Sequence, residues 1–164
     1  MKGAIFFSTK YGSREQNAQW IGESTGLPVF NIKDANADLS EYDFLLLGSL
    51  IIYYKIHFHK WMKSNWVKIE NKPVILFTVS GAPAGEKLNA WIENRDRPKT
   101  LISKMNHVAL QGRQKPEELT WYDWIMLRIR AMQNKDPKAR EEELKGFDYM
   151  VKLSIEPIVK WFNN

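Results

Sequence analysis

Residues 8 to 14 read Ser8-Thr9-Lys10-Tyr11-Gly12-Ser13-Arg14, which puts hydroxyls, an ammonium, a guanidinium and one permissive glycine into a single short turn. Hydroxyls and backbone amides donate to an anion, and glycine lets the main chain approach it closely. The helical stretch that follows would aim its first amides and positive dipole end at the same spot. The chemistry expected is phosphate binding, and an ordinary Ser/Gly turn capping a helix is the plainer alternative. Arg14 reads either as an added phosphate ligand or as a solvated first-turn residue. A second cluster, Ser49-Leu50-Ile51-Ile52-Tyr53-Tyr54, is apolar and aromatic where loops are usually polar. It suits contact with a flat group, with Tyr53 as the stacking candidate and Tyr54 left open. A third, Val79-Ser80-Gly81-Ala82, opens a turn of small residues. No catalytic residue stands out. His57 and His59 lack useful metal spacing and cysteine is absent, so no metal site is expected.

Three continuous apolar runs must position these clusters: Ala4 to Phe7, Phe44 to Leu47 and Val74 to Val79. Unbroken runs without alternation suit parallel strands covered on both faces. Leu27 to Ile32 reads as a short strand and His107 to Gln111 as the last one. Between them lie helical patterns at Glu15 to Glu23 and Ile56 to Ile69, with Gly48 ending the second run where a backbone could approach a ligand. This alternation implies a doubly wound α/β sheet with helices on both faces. Residues 112 to 146 are too long for a simple connection and read as an insertion with its own structure. Within it Leu119 to Gln133 looks helical, and its stripe of Trp121, Ile125, Ile129 and Met132 reads first as packing. Phe147 to Phe162 is expected to close the fold as a helix interrupted at Pro157.

The 164 residues imply one domain, 1 to 164. Apolar residues at 44% and charged residues at 26% exclude a disordered chain. Met1-Lys2-Gly3 runs into a strand without an apolar leader, so a cytoplasmic protein is expected. The formal charge of +5 comes without a basic block or a nucleic-acid motif, and no nucleic-acid partner is expected.

These residues resemble the flavodoxin family, a five-stranded parallel sheet in the order 2-1-3-4-5 with FMN at its carboxyl end. Thr9 and Gly12 match the family's T-x-x-G-x-T phosphate loop, while Arg14 stands where the last threonine is usual. Phe6-Phe7-Ser8-Thr9, Tyr42-Asp43 through Gly48, the Ile52-Tyr53 pair and Trp121-Tyr122-Asp123-Trp124-Ile125-Met126 are similar to the bacterial menaquinone-dependent protoporphyrinogen oxidases. That subgroup carries a long insertion before the last helix. The resemblance implies FMN held by Ser8 to Arg14 at its phosphate, by Ser49 to Tyr54 on one ring face and by Val79 to Ala82 at the other edge. It implies an FMN-dependent oxidoreductase working with a redox partner or quinone. Arg128 and Arg130 beside aromatics in Leu119 to Gln133 suit an anionic, porphyrin-sized substrate or peripheral contact with the inner face of a membrane. Two alternatives stand beside it. One is a flavodoxin-type electron carrier, disfavoured by the positive charge and by the lack of a glycine from Ser49 to Lys60 that could turn its peptide toward the reduced ring. The other is an FMN-free interaction module, kept open by Arg14 and Tyr54.

Overall fold

A computed structural model describes residues 1–8, 10, 13–33, 38–52, 55–56, 59–81, 85–86, 88 and 105–163, with 13, 14, 50, 52, 55 and 56 described by their backbone. Strands β1 (Gly3–Phe7), β2 (Val29–Asn31), β3 (Phe44–Ile52), β5 (Val74–Ser80) and β6 (Asn106–Gln111) pair in parallel in the spatial order β2-β1-β3-β5-β6. With the short β4 (Lys55–Ile56) set aside, this is the 2-1-3-4-5 order expected of the family.

Alternate residues of each central strand feed opposite layers, as the period of two requires. Ala4, Phe6, Leu45, Leu47, Val74 and Leu76 point to one layer, closed by Met62 of α2 (His59–Ser64) and Ile69 of α3 (Trp66–Ile69). Phe6 is boxed there by Phe30, Tyr42 and Trp61, at centroid distances of 5.3, 5.9 and 5.8 Å. Ile5, Phe7, Phe44, Leu46, Ile75 and Phe77 point the other way, against Ala18 and Ile21 of α1 (Ser13–Thr25) and Ile158 of the final helix. Each side chain buried this way contributes roughly 1.5–3 kcal/mol, which is why the unbroken apolar runs dominate the fold. The expected helix from Ile56 to Ile69 is two short helices separated at Asn65, whose backbone amide bonds back to Trp61 and Met62.

The insertion leaves the sheet through a two-stranded clasp, in which β7 (Arg113–Gln114) pairs antiparallel with β8 (Phe147–Asp148). It carries α4 (Trp121–Gln133) and α5 (Pro137–Lys145), which pack on each other. Thr120 caps α4 by accepting from the Asp123 amide, and Asp136 caps α5 by accepting from the Lys138 amide. The stripe expected to pack is the solvent-facing one. Asp123 and Ala131, eight residues apart and thus on one side of the helix, are buried, whereas Trp121, Ile125, Ile129 and Met132 are exposed. The closing segment also differs from expectation. Residues 147–148 are strand, Lys152–Ile155 a single 3₁₀ turn, and α6 runs only from Glu156 to Asn163. Pro157 sits in the first turn of α6, where its missing N–H costs nothing, and so starts the helix instead of interrupting it.

On the edge strand β6, His107 Nε2 lies 2.8 Å from the hydroxyl of buried Thr78. Burial pushes the imidazole below its ordinary 6.5. The unfolded chain therefore takes up the proton more readily, and stability is lost as pH falls below about 6.5 toward the folded value. Urea melts of wild type and His107→Gln between pH 7.5 and 5 should show this: the variant loses the acid-side decline that the histidine causes.

Candidate functional site

Parallel pairing brings the carboxyl ends of β1, β3 and β5 side by side, with Phe7 opposite Gly48, Gly48 opposite Phe77 and Leu50 opposite Val79. The Ser8 amide donates to the Gly48 carbonyl at 3.0 Å, so β1 stays bonded to β3 up to the point where the first loop departs. Ser8 and Ser49 are both buried at this edge. Neighbouring groups in the structure engage their hydroxyl-bearing residues. Three residues beyond Lys10, α1 begins at Ser13, and its first amides have no helical acceptor. Hydroxyls, amides, a dipole end and a lysine thus collect at one sheet edge, a donor set suited to an anion.

Of the residues expected at the site, Thr9, Tyr11, Gly12, Tyr53, Tyr54 and Ala82 lie outside the described residues. Ser13 and Arg14 form the first backbone turn of α1. Ser49, Leu50, Ile51 and Ile52 correct the sequence reading: they are not a loop but the last residues of β3, and Ile51 and Ile52 turn back to pair with Ile56 and Lys55. The β-branched pair prolongs the strand beyond Gly48. Val79 is buried in the core, and Ser80 ends β5, its carbonyl accepting from the Gly112 amide at 3.0 Å. Gly48 is mid-strand rather than strand-ending, and its missing side chain makes room for the Phe77 ring.

The structure adds residues that sequence reading missed. Lys10 Nζ forms an ion pair with Asp123 Oδ2 at 2.5 Å, tying the first loop to α4 across the whole sheet sequence. At the third loop, Gly81 lies so close to Phe147 that any Cβ would overlap the ring. Phe147 stacks on Tyr149 with centroids 5.1 Å apart and planes 22° from parallel. Tyr149 is pinned by its amide to Gly112 O at 3.1 Å, and the Glu142 carboxylate bonded to its phenol raises that group above its ordinary 10.0. Both ends of the insertion therefore reach the sheet edge where the loops emerge. Two signals could have found this: the T-x-x-D capping pattern at Thr120 to Asp123, and the alternation Phe147-x-Tyr149 that marks a strand face.

Asn17, one turn into α1, is fully buried, and neither side-chain atom has a hydrogen-bond partner among the described residues. An unpaired buried amide costs roughly 1–3 kcal/mol, so Asn17→Leu should raise stability by about that amount in urea titration. A loss of stability would mean that the amide is hydrogen-bonded in solution.

A family described as the Flavodoxin domain matches residues 4–140. The chain belongs to the flavodoxin family. Among solved flavodoxin-like structures, a flavodoxin from the domain Archaea is 19% identical, with 100% of each chain covered and a TM-score of 0.50. General stress protein 14 of Treponema denticola, in complex with FMN, is 10% identical, with 99% of this chain and 98% of that chain covered and a TM-score of 0.51. The Trp repressor binding protein of Bacillus subtilis is 13% identical, with 92% and 100% covered and a TM-score of 0.50. At these identities the likeness is one of fold. No curated protein matches this flavodoxin-family chain. Among its described residues no group of His, Asp or Glu could hold a metal ion, and no helix is long and apolar enough to cross a membrane.

Proposed function

We propose that this flavodoxin-family chain binds FMN at the carboxyl edge of β1, β3 and β5 and works as an FMN-dependent oxidoreductase similar to the quinone-dependent protoporphyrinogen oxidases. The observation that carries the reading is the convergence of buried Ser8 and Ser49, Lys10 and the first turn of α1 at one sheet edge. The FMN-bound Treponema structure of the same fold adds support. Residues 8 to 14 would hold the phosphate, residues 49 to 54 one ring face and residues 79 to 82 the far edge. Bound FMN would supply acceptance of hydride or electrons. The chain's own contribution is to anchor the phosphate through amides and hydroxyls and to keep water from the ring with the aromatic and small-residue loops. The insertion between β6 and α6 supports the finer assignment, because that is where the oxidase subgroup carries its own. A quinone or other redox partner and a cytoplasmic location, in contact with the inner face of the membrane, complete the proposal.

One observation favours a second reading, the FMN-free interaction module. The ammonium of Lys10, in the loop proposed to hold the phosphate, is paired with Asp123. Titrating flavin-stripped protein with FMN and following the quenching of flavin fluorescence separates the two. Saturable binding of one equivalent with a yellow complex is the expected result, and unquenched fluorescence at high protein concentration would leave only the interaction module. Oxidation of protoporphyrinogen by the loaded protein with added menaquinone then tests the oxidase assignment.

A further inference from the structure

Asn17 stands on the inward face of α1, beside Ala18 and one turn before Ile21, and all three are fully buried. Its amide nitrogen and carbonyl oxygen have no hydrogen-bond partner among the described residues. A leucine here would pack into the same layer without that penalty, so packing alone does not select the side chain. A buried polar group that the fold leaves unpaired calls for a partner from outside it. Ser154, in the 3₁₀ turn packed on α1, does not supply that partner, since its own buried hydroxyl is unpaired among the described residues. The direction of the Asn17 side chain narrows what the partner is. Helical Cα–Cβ bonds lean toward the N-terminus, so a residue covers the turn before its own Cα. For Asn17 that is the first turn of α1, whose amides lack helical acceptors and carry the positive end of the dipole. Glu15, the acid of this turn, is exposed, and its carboxylate accepts from Gln19 Nε2 at 3.3 Å. It therefore does not fill the inner side. A carboxamide offers a donor and an acceptor together, and a phosphate monoester of a hydroxylated chain presents an anionic oxygen to the first and a hydroxyl to the second.

We propose that Asn17 is a binding residue for a phosphate monoester at the start of α1, its Nδ2 donating to a phosphoryl oxygen and its Oδ1 accepting from a hydroxyl of the esterified chain. The same amide then lowers the stability of the unliganded protein and raises its affinity for the ligand. The proposal rests on the phosphate end of the cofactor reading. It requires neither the ring contacts nor the oxidase assignment.

The full chain, stripped of flavin, is titrated with FMN and with riboflavin, which has the same ring and hydroxylated chain but no phosphate. Its urea midpoint is also compared in chloride and in inorganic phosphate at equal ionic strength. Wild type is set beside Asn17→Leu and Asn17→Ala, the second carrying the test should leucine overfill the site. Both variants should bind FMN about tenfold to a hundredfold more weakly, the range for losing a hydrogen bond to a charged group. Riboflavin should lose far less. Inorganic phosphate should raise the midpoint of wild type more than that of either variant, the general salt effect being common to all three. Without ligand, Asn17→Leu should have a higher midpoint than wild type, which a residue serving the fold alone would not give. Variants that match wild type toward FMN and phosphate would overturn the proposal and leave the cofactor reading intact. Equal losses for FMN and riboflavin would also overturn it, as would a midpoint that falls in unliganded Asn17→Leu. Wild type that answers to phosphate through Asn17 but binds no flavin would support it and end the cofactor reading. Wild type that ignores both ligands would overturn both.

Discussion

Lys10→Met is expected to lower stability by about 3 kcal/mol, and Asp123→Asn by only about 1 kcal/mol, in urea titration. The asymmetry comes from where the two charges sit. The Asp123 side chain is 9% exposed and that of Lys10 34%. Removing the lysine strips a buried carboxylate of its cation, whereas removing the acid leaves an ammonium on a flexible stem that can turn to water. The α4 cap should survive in both variants, because Thr120 accepts from the backbone amide of residue 123, which neither substitution removes. Equal losses, or a larger one for Asp123→Asn, would show that the pair is solvated and contributes little. Asp123→Asn carries a second expectation, since it removes the carboxylate paired with a lysine of the proposed phosphate loop. FMN affinity should hold or rise in this variant, and it should fall in Lys10→Met.

Gly48→Ala is expected to cost about 2–3 kcal/mol, with much of the loss recovered in Gly48→Ala/Phe77→Leu. A methyl at position 48 has no room, because the Phe77 ring of the neighbouring strand already occupies that space. Phe77 is itself buried, so Phe77→Ala alone should cost about 4 kcal/mol. A double-mutant cycle with an interaction energy near zero would mean that the ring moves aside freely. The effect should also reach the candidate site. The Gly48 carbonyl accepts from Ser8, so a shift in β3 moves the root of the first loop, and FMN binding by Gly48→Ala should weaken while the double variant regains it.

The sheet was legible because its signal is repeated and local. Runs such as Ala4 to Phe7 and Val74 to Val79 have one stable use, a strand covered on both faces, and their alternate residues divide between the two layers. The strand before the first loop and the helix after it were legible because each is a local pattern, while residues 9, 11 and 12 between them lie outside the described residues. Gly48 was read as a ligand approach since a glycine reports the need for space and not what fills it. Only the tertiary pairing of β3 with β5 reveals Phe77 as the occupant. Lys10 and Asp123 are 113 positions apart, and nothing local couples them. The α4 stripe was misjudged because an apolar row has the same pattern whether it meets a core or stays exposed, and a buried aspartate marks the inner side instead.

The clasp of β7 and β8 has a consequence for how such a chain can change. Arg113 pairs with Asp148 and Gln114 with Phe147, so the polypeptide enters and leaves the insertion through neighbouring positions. Closing the main chain across that gap takes no more than a tight reverse turn, and the order of the parallel strands does not depend on what lies beyond it. The segment is thus a removable cassette, which ancestors could acquire or discard, or an engineer could transplant onto a shorter relative, without re-registering the sheet. Among the described residues the ion pair of Lys10 with Asp123 ties it to the sheet outside the clasp, and a recipient scaffold would have to supply that partner.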